Sequence, residues 1–134
     1  MSARVDSMSV HEPVLVNLLG HSAGALIFGI FVVLLWRSSG HLPTSRLTRS
    51  AALTALAWNT GSLALLAWPG GPRWWTEPLT VITASALSLL PALLLDLSLE
   101  RHSLLLSRAG YTLSALAMLL HASEYWLAIP SMHR

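Results

Sequence analysis

Histidine, asparagine and aspartate inside strongly apolar stretches are the residues of this sequence that could do chemistry. His21 follows Pro13 by eight residues, and His121 precedes Ile129 by eight. If each stretch is a helix rising about 1.5 Å per residue, both imidazoles stand about 12 Å in from one face of a membrane. Asn59 lies nine residues before Trp68, and Ser85 and Ser88 lie six and nine past Leu79, so every stretch brings a polar group near that level. Asn17 and His21, four apart, share a helical face. Gly20 and Gly24 form a GxxxG on an adjacent stripe, which admits a close neighbour. Tyr111, Ser114, Met118, His121 and Tyr125 recur at spacings of three and four, a single stripe expected to turn towards a bundle interior. Two imidazoles at one depth can ligate a haem b, with His21 and His121 on the iron and Asn17, Asn59 and Gly24 around the group. They can equally be polar glue, bonded to Asn59, the serines or water. A proton-relay or quinone site is a third use of the same groups.

Asp96 and Arg108 form a second constellation. Asp96 lies four residues before Glu100, and Arg108 lies six after His102, on either side of a short turn. A charge in an apolar setting needs a partner, so an Asp96–Arg108 ion pair is expected to staple the third stretch to the fourth. Glu124 lies three residues after His121 and is expected to reach the interface. His11, His41, His102 and His133 fall at stretch ends and are expected to be solvated. No GxSxG elbow, phosphate-cradling glycine loop or HExxH is present, so no enzyme activity is expected.

These residues need elements to hold them. Apolar residues make up 54% of the 134 and charged residues only 10%, too few to cover a small soluble domain. Four stretches are long enough to cross a bilayer: about 14–36, 48–68, 79–99 and 103–129. Pro13 and Pro78 are expected to open helices, and Pro69 and Pro130 to close them. Pro91, inside the third stretch, is expected to kink it. Short loops make neighbours antiparallel, so the expected fold is all-α: an antiparallel four-helix transmembrane bundle forming one membrane domain over residues 1–134. Arg37, Arg46, Arg49 and Arg101 lie at one side, with Arg108 just inside it. Arg4, Arg73 and Arg134 lie at the other, with Trp68, Trp74, Trp75, Tyr125 and Trp126. The loops with Arg37–Arg49 and Arg101 are then expected in the cytoplasm of a bacterial inner membrane. A retained first span is expected in place of a cleavable signal. With a net charge of +2 and no cysteine, nucleic-acid binding, disulfides and thiol chemistry are not expected.

Four segments, HEPVLVNLLGHSAGALIFGIF, AWNTGSL, SALSLLPALLLDLSL and AGYTLSALAMLLHASE, touch all four stretches. Together they resemble the N-terminal multi-span membrane input region of bacterial sensor histidine kinases. The resemblance implies a module that passes a signal to a cytoplasmic kinase, with His21, Asn59 and His121 in its polar core. The chain departs from such regions at Asp96, where related regions carry histidine. It also lacks a dimerisation helix, a phospho-accepting histidine box and an ATP-binding motif. Input regions of this kind look like seven-span units, so a fragment, a truncated product or a free-standing relative is expected. Three functions follow as expectations: a sensory or signal-transduction module, a b-type electron-transfer subunit, or a non-catalytic accessory subunit of a larger complex. The expected partners are the lipid bilayer and further helices, in a homo- or hetero-oligomer.

Overall fold

The computed structural model describes residues 6–38, 46–99 and 103–127, with side chains over 13–38, 46–99 and 103–123. Four helices follow in order: α1 (Asp6–Arg37), α2 (Arg46–Ala67), α3 (Arg73–Ser98) and α4 (Leu104–Leu127). No strand occurs among the described residues. Each helix is long and apolar enough to cross a membrane, over Pro13–Arg37, Arg46–Ala67, Arg73–Ser98 and Leu104–Ser123. This is the pattern of a multi-pass membrane protein and an all-α helical bundle. Arg4, His41, Glu100, Arg101, His102, Pro130, His133 and Arg134 lie outside the described residues, as do the side chains of His11, Glu124, Tyr125 and Trp126.

The helices pack as an open row. α2 rests on α1 and α3, and α3 rests on α2 and α4, while α1 and α4 share no interface among the described residues. Contacts rise along one helix as they fall along the next. His21 meets Asn59, and Val32 and Leu53 line one cleft further on; Asp96 meets Ser107, and Ser88 meets Ser114. Neighbours are therefore antiparallel. The buried apolar positions are mostly small: Ala51, Ala52 and Ala55 on α2, and Ala92 beside Leu93 on α3. Small side chains let helix backbones approach, and that dispersion contact is what associates helices where lipid removes the hydrophobic drive. Gly61 is the tightest case, because a Cβ there would collide with the Thr83 side chain of α3, its Cβ 3.3 Å away. On α1 only Val32 is buried among the described hydrophobic residues, so α1 is a peripheral helix touching the row along one edge.

Two prolines sit differently from expectation. Pro13 and Pro78 lie inside α1 and α3, because the polar residues before them continue the helix beyond its apolar part. The α3 start is set instead by Pro72, extended at φ −61° and ψ 136°, whose carbonyl accepts the Trp75 and Thr76 amides at 3.1 and 3.2 Å. α3 runs on without interruption through Pro91. There α4 donates the Ser114 hydroxyl to the Ser88 carbonyl at 2.7 Å, in the turn that the missing proline N–H weakens.

The α2–α3 turn is closed by Gly71 N–H on the Trp68 carbonyl at 3.2 Å, with Trp68 and Trp75 edge to face at 6.0 Å. Arg73 and Glu77 pair at 2.5 Å beyond it. Gly70 takes φ +79° there, a left-handed conformation that a Cβ disfavours by about 1–2 kcal/mol. Gly70→Ala is thus expected to lower stability by about that amount, read as the SDS midpoint of unfolding in mixed micelles. An unchanged midpoint would show that the turn adapts at no cost.

Candidate polar site in the membrane

His21 sits on the face of α1 that meets α2. Its Nδ1 lies 3.2 Å from Asn59 Oδ1, so the N–H tautomer donates to the amide oxygen. Asn59 is 4% exposed and uses its own Nδ2 to donate to the Ala55 carbonyl at 2.8 Å. That second bond fixes which end of the amide faces α1, because the Ala55 carbonyl can accept only from the nitrogen, which turns the oxygen to the imidazole. Trp58 packs edge on to His21 with ring centroids 5.3 Å apart. Gly24, one turn along α1, makes the space: a Cβ there would stand 2.7 Å from Asn59 Cγ. The node is thus a polar side chain of the central helix inserted between an imidazole and a glycine of the peripheral one. Asn17, four residues before His21, is exposed and makes no hydrogen bond among the described residues. Gly20, the other glycine of the GxxxG, has nothing within 4 Å of a Cβ.

The α4 stripe faces α3, as its spacing implied. Ser114 is buried, Tyr111, Met118 and His121 are half-buried, and these four residues run along the one interface that α4 makes among the described residues. His121 therefore lies two helices away from His21. The level shared by the two imidazoles is not a shared site, since the open row separates α1 from α4. Ser85 and Ser88 belong to α3; the Ser88 hydroxyl donates back to the Ala84 carbonyl at 2.9 Å.

The expected Asp96–Arg108 pair does not form. Ser107 Oγ donates to Asp96 Oδ1 at 2.7 Å, and Tyr111 OH donates to Oδ2 at 3.1 Å. Arg108 is exposed, and Arg73–Glu77 is the ion pair found among the described residues. The reason is angular. Ser107 and Tyr111 are four apart and share the face towards α3, whereas Arg108 is rotated about 100° from Ser107. The i, i+4 spacing of Ser107 and Tyr111 opposite Asp96 was the readable signal for this arrangement. Thr83 carries no comparable sequence signal. Its buried Oγ1 has no hydrogen-bond partner among the described residues and presses on Gly61.

Among the described residues no group of three or more His, Asp or Glu side chains could hold a metal ion. No family model matches the chain, and neither does any curated protein or solved structure.

Proposed function

We propose that the chain is a membrane-embedded sensory or signal-transduction module in which α1 is the responsive element and the His21–Asn59 contact holds it to the bundle. The observation that carries this reading is that hydrogen bond between α1 and α2. An ionisable group within a span is functional by default, because burying it is costly unless something is gained. Here it sits at the edge of the row, on a helix with few other buried anchors. A peripheral helix tied by one polar node can adopt two arrangements at small energetic cost, which a signal can bias. The resemblance of HEPVLVNLLGHSAGALIFGIF to a kinase input region agrees with that role. The arginine-bearing end with Arg37, Arg46 and Arg49 would then face the cytoplasm of a bacterial inner membrane.

The test uses the absence of native cysteine. Spin labels at Ile30→Cys and Ala57→Cys report the α1–α2 separation of the full chain in vesicles. Two distance populations are expected, with the longer one enriched by Asn59→Ala. One narrow distance that neither Asn59→Ala nor His21→Ala alters would sink the reading.

The haem reading finds less support, because His21 and His121 lie on helices without a common interface. Within one chain the residues do not fit a bis-imidazole site. A reduced-minus-oxidised spectrum of protein expressed with haem supply is expected to lack an α-band. An accessory-subunit reading rests on the open surface at Gly20, against which a partner helix could pack. Strictly monomeric protein in mild detergent would count against that reading.

A further inference from the structure

At the arginine-bearing end, a cleft lies between α1 and α2 that the His21–Asn59 node does not explain. Val32, Leu35 and Trp36 of α1 and Leu53 and Arg49 of α2 line it, around a cavity of about 80 Å³. Four of these five side chains are apolar. The fifth is a guanidinium whose Nε is buried without a hydrogen-bond partner among the described residues. A buried N–H donor on a permanent cation calls for an anionic acceptor, since leaving it unmade costs more than an ordinary lost bond. No carboxylate among the described residues pairs with Arg37, Arg46 or Arg49. Asp96, the described carboxylate at the same end, already accepts Ser107 and Tyr111 on the α3–α4 interface.

The depth of the cleft narrows the choice of ligand. Arg49 is three residues into α2, and Trp36 is one residue from the end of α1. Both positions are those of the boundary between lipid headgroups and acyl chains, where tryptophan and arginine concentrate. An occupant there has to offer an anion at the level of Arg49 and hydrocarbon alongside Val32 and Leu53. We propose that this cleft binds an anionic phospholipid, its phosphodiester accepting from Arg49 and one acyl chain lying between α1 and α2. Basic pockets between spans are the recurring way in which membrane proteins select anionic headgroups. A zwitterionic lipid offers the same phosphate beside its own cation, which opposes the Arg49 guanidinium, so the cleft selects net negative charge. The lipid also fills the space between the two helices and so bears on their separation at this end. The inference is independent of the sensory reading, since it concerns only the cleft and its cation.

Quenching of tryptophan fluorescence by brominated phosphatidylglycerol, in phosphatidylcholine vesicles containing the full chain, tests it. Trp36 lines the cleft and reports directly, and Trp36→Phe identifies its share of the signal. Quenching of Trp36 is expected to show a preference of at least about fivefold for brominated phosphatidylglycerol over brominated phosphatidylcholine. Arg49→Gln abolishes the preference, while Arg46→Gln, at an exposed position, largely keeps it. Equal quenching by the two lipids, or a preference that survives Arg49→Gln, overturns the proposal. Inorganic phosphate that displaces the brominated lipid at millimolar concentration would also overturn it, by showing an anion site without an acyl cleft. Should Arg49→Gln not fold, as judged by circular dichroism, wild-type quenching across a salt series decides. Preference lost with added salt upholds the proposal, and no preference at any ionic strength ends it.

Discussion

Gly24→Leu is expected to detach α1 from α2, whereas Gly20→Leu is expected to leave the pair intact. The two glycines are equivalent in the sequence, as the halves of one GxxxG, but they meet different surroundings. A Cβ at Gly24 would enter the Asn59 amide, 3.0 Å from Nδ2 and closer still to Cγ and Oδ1, while one at Gly20 would meet nothing within 4 Å. Asn59 cannot simply swing aside, because its Nδ2 is bonded to the Ala55 carbonyl in the same helix. Overpacking of this kind costs about 1–3 kcal/mol. The His21 hydrogen bond goes with it, and interhelical bonds in membranes are worth about 0.6 kcal/mol on average. A loss of about 2–3 kcal/mol at Gly24, with no more than about 0.5 kcal/mol at Gly20, is the expected contrast. The SDS midpoint in mixed micelles measures it. Disulfide trapping between Val32→Cys and Leu53→Cys shows whether the loss is specific to α1. Equal effects at the two glycines would mean that α1 uses its motif as a whole.

That contrast also marks how far the sequence could be read. The spans were legible because about 20 apolar residues in succession are hard to use in any other way. Antiparallel threading followed from the short loops, and the inward turn of the α4 stripe followed from spacings of three and four. Helix ends were less legible, since an apolar run marks where lipid is crossed and not where hydrogen bonding stops. Hence Pro13 and Pro78 looked like helix starts but lie inside α1 and α3. Depth could be counted, which correctly set His21 level with Asn59. Neighbourhood could not be counted, because matched depth says nothing about which helices touch. Whether four antiparallel helices close into a ring or lie in a row depends on which faces carry small residues. Here α2 holds Ala51, Ala52, Ala55 and Gly61 and sits between α1 and α3, so the row stays open and His21 is separated from His121.

Removing both hydroxyls that face Asp96 is expected to destabilise the α3–α4 pair more than any change at Arg108. Hydrogen bonds to a charged group are worth about 1.5–3 kcal/mol each. Ser107→Ala and Tyr111→Phe take them away singly, and the double variant leaves a half-buried carboxylate without a described donor. The loss in the double variant is expected to be about 3 kcal/mol or more, limited by how far Asp96 can turn towards the headgroups. Arg108→Gln is expected to change stability by less than about 0.5 kcal/mol, because its side chain is exposed and holds no partner among the described residues. The opposite ranking, with Arg108→Gln severe and the double variant mild, would restore the ion pair that the sequence suggested. Asp96→Asn separates charge from geometry. Its amide oxygen can still accept one hydroxyl, so it should fall between wild type and the double variant. If Asp96→Asn were instead more stable than wild type, the carboxylate would be a burden that the fold tolerates. Asp96 would then be a group kept in the membrane for its ionisation and not for the joint it makes with α4.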